Sequence, residues 1–294
     1  MSRRPSQSDA LTSLPIGMFD SGIGGLTVLH ECLVTMPAED FVYFGDTARF
    51  PYGSKSPREL REFAAQVATW LDRVGVKLIV VACNSATAAA LPALQEEFAT
   101  PMIGAVMPGA RAAVQSSRSR RIGILATPAT VASRSYELAV HSLDLGVRVF
   151  QQPCPDLATF IQEGEVASRE VLEAVRRYTS PLKEHEVDVV IMGSTHYPHV
   201  APMLQRAMGR GVTLVSPAAE IALEVEETLV RQGIAREDAG EGDYRFHCTG
   251  DVETFRSVGA RFLQMPLEEI ERVPLPLTAE PAAGGPAADG VDRP

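Results

Sequence analysis

The chain runs to 294 residues, with 45% hydrophobic residues, 22% charged residues and a formal net charge of −10. That balance describes a soluble globular protein of two ordinary domains or one large one, and its acidity excludes binding to nucleic acid or anionic membrane through a broad basic surface. No apolar run approaches the roughly 20 residues of a membrane span, and residues 1–14 lack the apolar core of a signal peptide, so the expected location is the cytoplasm.

The four cysteines, Cys32, Cys83, Cys154 and Cys248, are far apart and form no Cys-x-x-Cys pair, which suggests neither a zinc site nor a disulfide framework. The three lysines, Lys55, Lys77 and Lys183, lie in no stretch that reads as a cofactor-holding strand end. No phosphate-loop signature is present, so nucleotide hydrolysis is not indicated.

Residues 1–14 and 274–294 are polar or rich in Pro, Ala and Gly and read as tails. Between them, strand and helix patterns alternate, which predicts an α/β fold with mostly parallel strands. Residues 15–19 form a short strand leading into DSGIGG at 20–25, with a helix over about 26–33. The glycine spacing is not the dinucleotide fingerprint and by itself marks a tight turn. Asp20 alters that weighing, because a carboxylate at a strand end is costly without a partner and could hold an ammonium group. A second strand at 40–44 leads into a long loop at 45–56, where Pro51-Tyr52-Gly53 is a turn presenting an aromatic ring and a backbone amide. Residues 57–74 form an amphipathic helix whose apolar stripe packs the core.

The apolar run at 78–82 reads as a strand buried on both faces, ending at Cys83. Asn84 and Ser85 are candidate caps for a helix over 86–94, with Pro92 as its interruption. A thiol at a helix start is expected to be acidified, although a buried inert cysteine is the commoner role for one Cys. The next strand is at 101–106, then a helix after Pro108. A strand at 121–126 opens a helix at Thr127, a strand edge lies at 147–151, and helices are expected at 156–164 and 169–178. The apolar run at 187–192 ends at GSTHYP, residues 193–198.

The two halves echo each other. Asp20 precedes Cys83 by 63 residues, and Thr127 precedes Ser194 by 67. Halves of like layout facing each other would set Cys83 and Ser194 on opposite sides of one cleft. Inversion at a carbon needs such a pair, one group to remove a proton and one to return it. Two thiols would suit; a serine hydroxyl is a far weaker acid and base.

FDSGIGGL, YFGDTARFPYGSKS, VVACNSATAA, IGILATPAT and GSTHYP, in this order, resemble the cofactor-independent glutamate racemases of the aspartate/glutamate racemase family, as does TGD at 249–251. The resemblance covers about residues 15–265. It implies two similar α/β domains with mostly parallel sheets, related by a pseudo-twofold axis, with the active site between them. The expected division is 15–104 with about 217–270 as the first domain and 105–216 as the second.

The resemblance places the first catalytic cysteine at Cys83, facing D-glutamate, and the second at Ser194, facing L-glutamate. It places substrate contacts at Asp20 and Ser21, at Tyr52 and Gly53, at Asn84 and Ser85, and at Thr195 and His196, with Asp20 and His196 also in catalytic roles. A family glutamate falls on Gln162, with Glu163 beside it. The chain as it stands is therefore expected to be an impaired Cys-to-Ser form. An engineered and a natural replacement both account for Ser194, and the intact motif around it favours the first.

The resemblance thus implies glutamate racemisation for peptidoglycan with no cofactor and no metal, in a homodimer. Some members bind DNA gyrase, but nothing in this acidic chain shows such a surface. Alternatives are a related aspartate, arylmalonate or maleate enzyme, an amino-acid-binding regulator that lost its second base, or a cysteine hydrolase built on Cys83.

Overall fold

The computed structural model describes residues 11–276 apart from residue 165 and residues 237–239. Every strand pairing among them is parallel. The first sheet contains β1 (Ile16–Asp20), β2 (Phe41–Gly45), β3 (Leu78–Val81), β4 (Met102–Gly104), β9 (Tyr244–Cys248) and β10 (Ile270–Arg272), in the order β10-β9-β2-β1-β3-β4. The second contains β5 (Arg121–Ala126), β6 (Arg148–Pro153), β7 (Val189–Gly193) and β8 (Thr213–Val215), in the order β6-β5-β7-β8.

The spacing echo in the sequence is an echo of topology. In each sheet the leading strand pairs with the second on one side and the third on the other, and the fourth lies beyond the third. Where successive connections leave a strand in opposite directions, a crevice opens at the carboxyl ends. Asp20 and Cys83 stand at that point on the first sheet, Thr127 and Ser194 on the second.

The connecting helices are α1 (Leu26–Thr35), α2 (Pro57–Val74), α3 (Asn84–Glu97), α4 (Val106–Ser116), α5 (Pro128–Ala132), α6 (Ser135–Leu143), α7 (Leu157–Gln162), α8 (Arg169–Glu184), α9 (Ala201–Met208), α10 (Pro217–Gln232) and α11 (Val252–Leu263). Helix α2 has complete stop signals. Ser56 and Glu59 form a capping box, Pro57 opens the first turn, and Gly75 ends the helix at φ 83°. Three helices depart from expectation. Helix α4 begins at Val106, since Pro108 falls in a first turn whose amide needs no partner. Helices α3 and α8 continue through Pro92 and Pro181.

The largest buried cluster draws on both sheets, joining Met18 and Val80 to Leu125 and Met192. At the amino end of β3, away from the crevice, Lys77 is buried against Glu39 at 2.6 Å and donates to Ile234 O at 2.9 Å. The tails expected at 1–14 and 274–294 lie mostly outside the described residues. Of the remainder, Thr12 O accepts from Lys77 Nζ at 3.1 Å and Pro276 O from Arg49 Nη1 at 3.2 Å. Among the described residues, no helix is long and apolar enough to cross a membrane.

Candidate active site

All ten residues singled out in the sequence, from Asp20 and Ser21 through Tyr52, Gly53, Cys83, Asn84 and Ser85 to Ser194, Thr195 and His196, line one cavity of about 20 Å³. The first sheet and its loops supply the first seven and the second sheet supplies the last three. A cavity this small admits about one water molecule. An open groove of about 950 Å³ runs between α8 and α9, but no cysteine lines it.

Asp20 is fully buried at the end of β1. Its carboxylate accepts from Gly22 N at 3.1 Å and from the Thr195 hydroxyl at 3.4 Å. Burial pushes its pKa up to about 6, against these hydrogen bonds, which favour the charged form. The glycines beyond it serve close approach. A Cβ on Gly24 would come within 2.6 Å of the His196 ring, so this turn is shaped by the opposite wall of the cavity.

Cys83 caps α3, and Ala86 N approaches its Sγ at 3.5 Å. The expected acidification is not met. Burial first, and the Asp20 carboxylate second, push the thiol up to about 12, and together they outweigh the helix-start amides. Asn84 and Ser85 do not cap the helix; they bridge to the second half. Tyr136 OH donates to Asn84 Oδ1 at 2.6 Å, and Ser85 Oγ lies 2.8 Å from Thr127 Oγ1 and 3.2 Å from Thr130 Oγ1. Sequence reasoning misses Thr127 as a site residue, although Thr127 marks the strand end that pairs with Asp20 in the repeat; Thr130 supports it from outside the cavity lining.

On the second wall, Ser194 Oγ accepts from His196 N at 3.4 Å. His196 lies between Phe50 and Phe262, with ring centroids 5.5 and 5.6 Å away. Gln162 Oε1 accepts from Ile23 N at 3.3 Å and sits 2.9 Å from His196 Nε2. A carbonyl oxygen only accepts, so Nε2 carries the proton and Nδ1 a lone pair. Burial pushes the imidazole pKa down to about 3, which keeps the ring neutral. Glu163 is exposed, so Gln162 is the residue that meets the histidine. The walls are thus unequal: thiol and carboxylate on one, hydroxyls, an amide and a neutral imidazole on the other.

A family profile described as Asp/Glu/Hydantoin racemase matches residues 26–225. A glutamate racemase from a Parafrankia species is 41% identical over 254 residues, 86% of this chain and 92% of its own. A glutamate racemase isoform from Bacillus anthracis superposes with a TM-score of 0.87 at 36% identity, covering 91% of this chain and 100% of the other. The glutamate racemase of Francisella tularensis, solved in complex with D-glutamate, gives 0.84 at 34% identity, covering 89% and 98%.

Proposed function

The chain belongs to the Asp/Glu/Hydantoin racemase family, and we propose that it interconverts L- and D-glutamate by proton transfer at Cα, supplying D-glutamate for peptidoglycan. One observation carries this reading. Four separate segments, at 20–21, 52–53, 83–85 and 194–196, line a single buried cavity, with Cys83 and Ser194 brought by different sheets. The names of the relatives and the D-glutamate complex support the substrate.

Asp20 holds the ammonium group, and pairing with that cation restores the charge that burial opposes. The substrate carboxylates meet no Lys or Arg in the cavity lining. They are held by the hydroxyls of Ser21, Ser85, Thr127 and Thr195 and by amides at the start of α3. In the empty site Cys83 stays protonated. A bound ammonium offsets the Asp20 carboxylate and favours the thiolate, which takes the Cα proton from one face. Ser194 stands where a proton is returned to the other face, and its hydroxyl does this poorly. The chain as it stands therefore binds glutamate and turns it over slowly. Exchange is expected to be faster for D-glutamate, the enantiomer that the resemblance assigns to Cys83.

The test is calorimetry with glutamate together with solvent-deuterium incorporation into each enantiomer. Binding with exchange that is lost in Cys83→Ala is the expected result; no binding at millimolar concentration overturns the reading, and preferential turnover of aspartate moves the substrate to that relative. The neutrality of Ser194, Gln162 and His196 together favours a second reading, an amino-acid-binding regulator, which binding without any exchange would support. A homodimer belongs to the same proposal and is supported by Leu223 and Val230, 47% and 67% exposed and seven residues apart on α10. Sedimentation velocity checks it, and a purely monomeric boundary at micromolar concentration removes it.

A further inference from the structure

TGD at 249–251 lies outside the cavity lining, yet it is stitched to the loop that carries one wall. Asp46, fully buried just after β2, is the centre. Its Oδ1 accepts from the Thr249 hydroxyl at 2.8 Å, and its Oδ2 accepts from Arg49 Nε at 2.6 Å and, by a short bond, from Tyr52 OH. Thr249 Oγ1 also accepts from Ala48 N at 2.9 Å, and Thr47 Oγ1 from Gly250 N at 2.9 Å. Arg49 continues to Gln66 Oε1 at 2.6 Å and lies over the Phe63 ring. The Tyr52 hydroxyl is thus committed to Asp46, and Tyr52 faces the cavity beside Cys83 with its ring orientation fixed.

We infer that Asp46, Arg49 and Thr249 are positioning residues that act through Tyr52, holding the wall at 50–53 against Cys83. The inference rests on the glutamate reading for its ligand but not for its geometry. A buried carboxylate oxygen deprived of a donor is costly, so the network responds as a unit to loss of one member.

The test compares Tyr52→Phe, Thr249→Val and Thr249→Ser with the unaltered full-length chain. Two readouts are taken: glutamate Kd and stoichiometry by calorimetry, and the iodoacetamide labelling rate of Cys83 relative to Cys154, mapped by mass spectrometry. Tyr52→Phe and Thr249→Val are expected to raise Kd about tenfold at unchanged stoichiometry, the size of one lost buried hydrogen bond. They are also expected to speed Cys83 labelling severalfold while Cys154 stays slow. Thr249→Ser restores both. A purely structural role would lower the binding-competent fraction and leave Kd in the remainder unchanged. Unchanged Kd with unchanged Cys83 labelling in folded Tyr52→Phe and Thr249→Val overturns the inference. Absence of glutamate binding by the unaltered chain overturns the glutamate reading instead, and the labelling ratio then decides the inference alone.

Discussion

Asp20 is costly for folding, and the proposed function gives that cost a purpose, the capture of an ammonium group. Its pKa of about 6 in the folded chain lies above the value near 3.9 of an unfolded aspartate. The folded state therefore holds the proton more tightly. The group's contribution to stability is greatest below pH 4 and is lost as pH rises toward 6, and by linkage the loss reaches up to about 3 kcal/mol at pH 7. Asp20→Asn is expected to raise the Tm of the ligand-free protein at pH 7, to leave it little changed at pH 4, and to weaken glutamate binding by more than 100-fold. Scanning calorimetry at the two pH values and a titration at pH 7 check this; a lower Tm at pH 7 would mean that the hydrogen bonds to the carboxylate outweigh its burial. Ser194 poses the complementary question of chemistry without a charge cost. One acid–base group is typically worth about 10² to 10⁴ in rate. Ser194→Cys is expected to raise turnover by that factor in both directions, with glutamate Kd changed less than tenfold because sulfur for oxygen is a small change of volume. A folded Ser194→Cys protein that binds glutamate but remains inactive counts against two-base racemisation and for the binding-protein reading.

At the scale of elements, the sequence pattern locates strand ends well because each buried parallel strand is an apolar run closed by small or polar residues. β1, β3, β5 and β7 all end within about a residue or two of the positions read from the pattern, and those ends carry the site. Helix α2 is legible in full because its stripe, capping box and terminal glycine agree. What is not legible depends on partners distant in sequence. Gln162 meets His196 across 34 positions, and Asp46 meets Thr249 across 203. No local pattern reports such contacts. The rise of the Cys83 pKa is hidden in part for the same reason: the helix start and the buried strand are both visible in sequence, but the Asp20 carboxylate that adds to the burial, 63 positions away, is not. Close approach of elements is the other hidden feature. The short 3-10 turn Tyr52–Ser54 packs so tightly on the start of α5 that a Cβ on Gly53 would stand 2.5 Å from Thr127 Cβ and 2.8 Å from Thr127 Cγ2. Gly53 is not among the residues of positive φ, so alanine suits the turn itself. Gly53→Ala is thus expected to keep Tm within a few degrees while weakening glutamate binding at least tenfold, because the two walls can no longer meet. An unchanged calorimetric Kd would show that the approach of Gly53 to Thr127 is not needed for binding.

For the whole molecule, the decisive quantity is the cavity of about 20 Å³, too small for an amino acid with two carboxylates and an ammonium group. Glutamate reaches Cys83 only if the walls carried by the two sheets part. Polar contacts join them around the cavity: Asp20 with Thr195, Gln162 with Ile23, Thr27 with His199, Asn84 with Tyr136, and Ser85 with Thr127 and Thr130. Hydrogen bonds of this kind exchange for water at modest net cost, each worth about 1 kcal/mol. Parting the walls at the cavity is therefore inexpensive in hydrogen bonds, and the apolar core that spans both sheets sets how far it can go. A covalent link across the walls separates opening from every other requirement for binding. The Ser85 and Thr127 hydroxyl oxygens are 2.8 Å apart, so cysteines at both positions would bring their sulfurs side by side. The Ser85→Cys/Thr127→Cys protein is expected to bind glutamate when reduced, somewhat more weakly than the unaltered chain because both hydroxyls are lost. When oxidised, with the 85–127 bond verified by peptide mapping, it is expected to lose binding by at least 100-fold and to regain it on reduction. Iodoacetamide labelling of Cys83 tracks the same switch, slow in the oxidised form and faster in the reduced one, because the reagent needs the same opening. Full glutamate affinity in the verified oxidised form would mean that the ligand reaches Cys83 by a route that leaves Ser85 and Thr127 in contact, and the two sheets would then not have to separate.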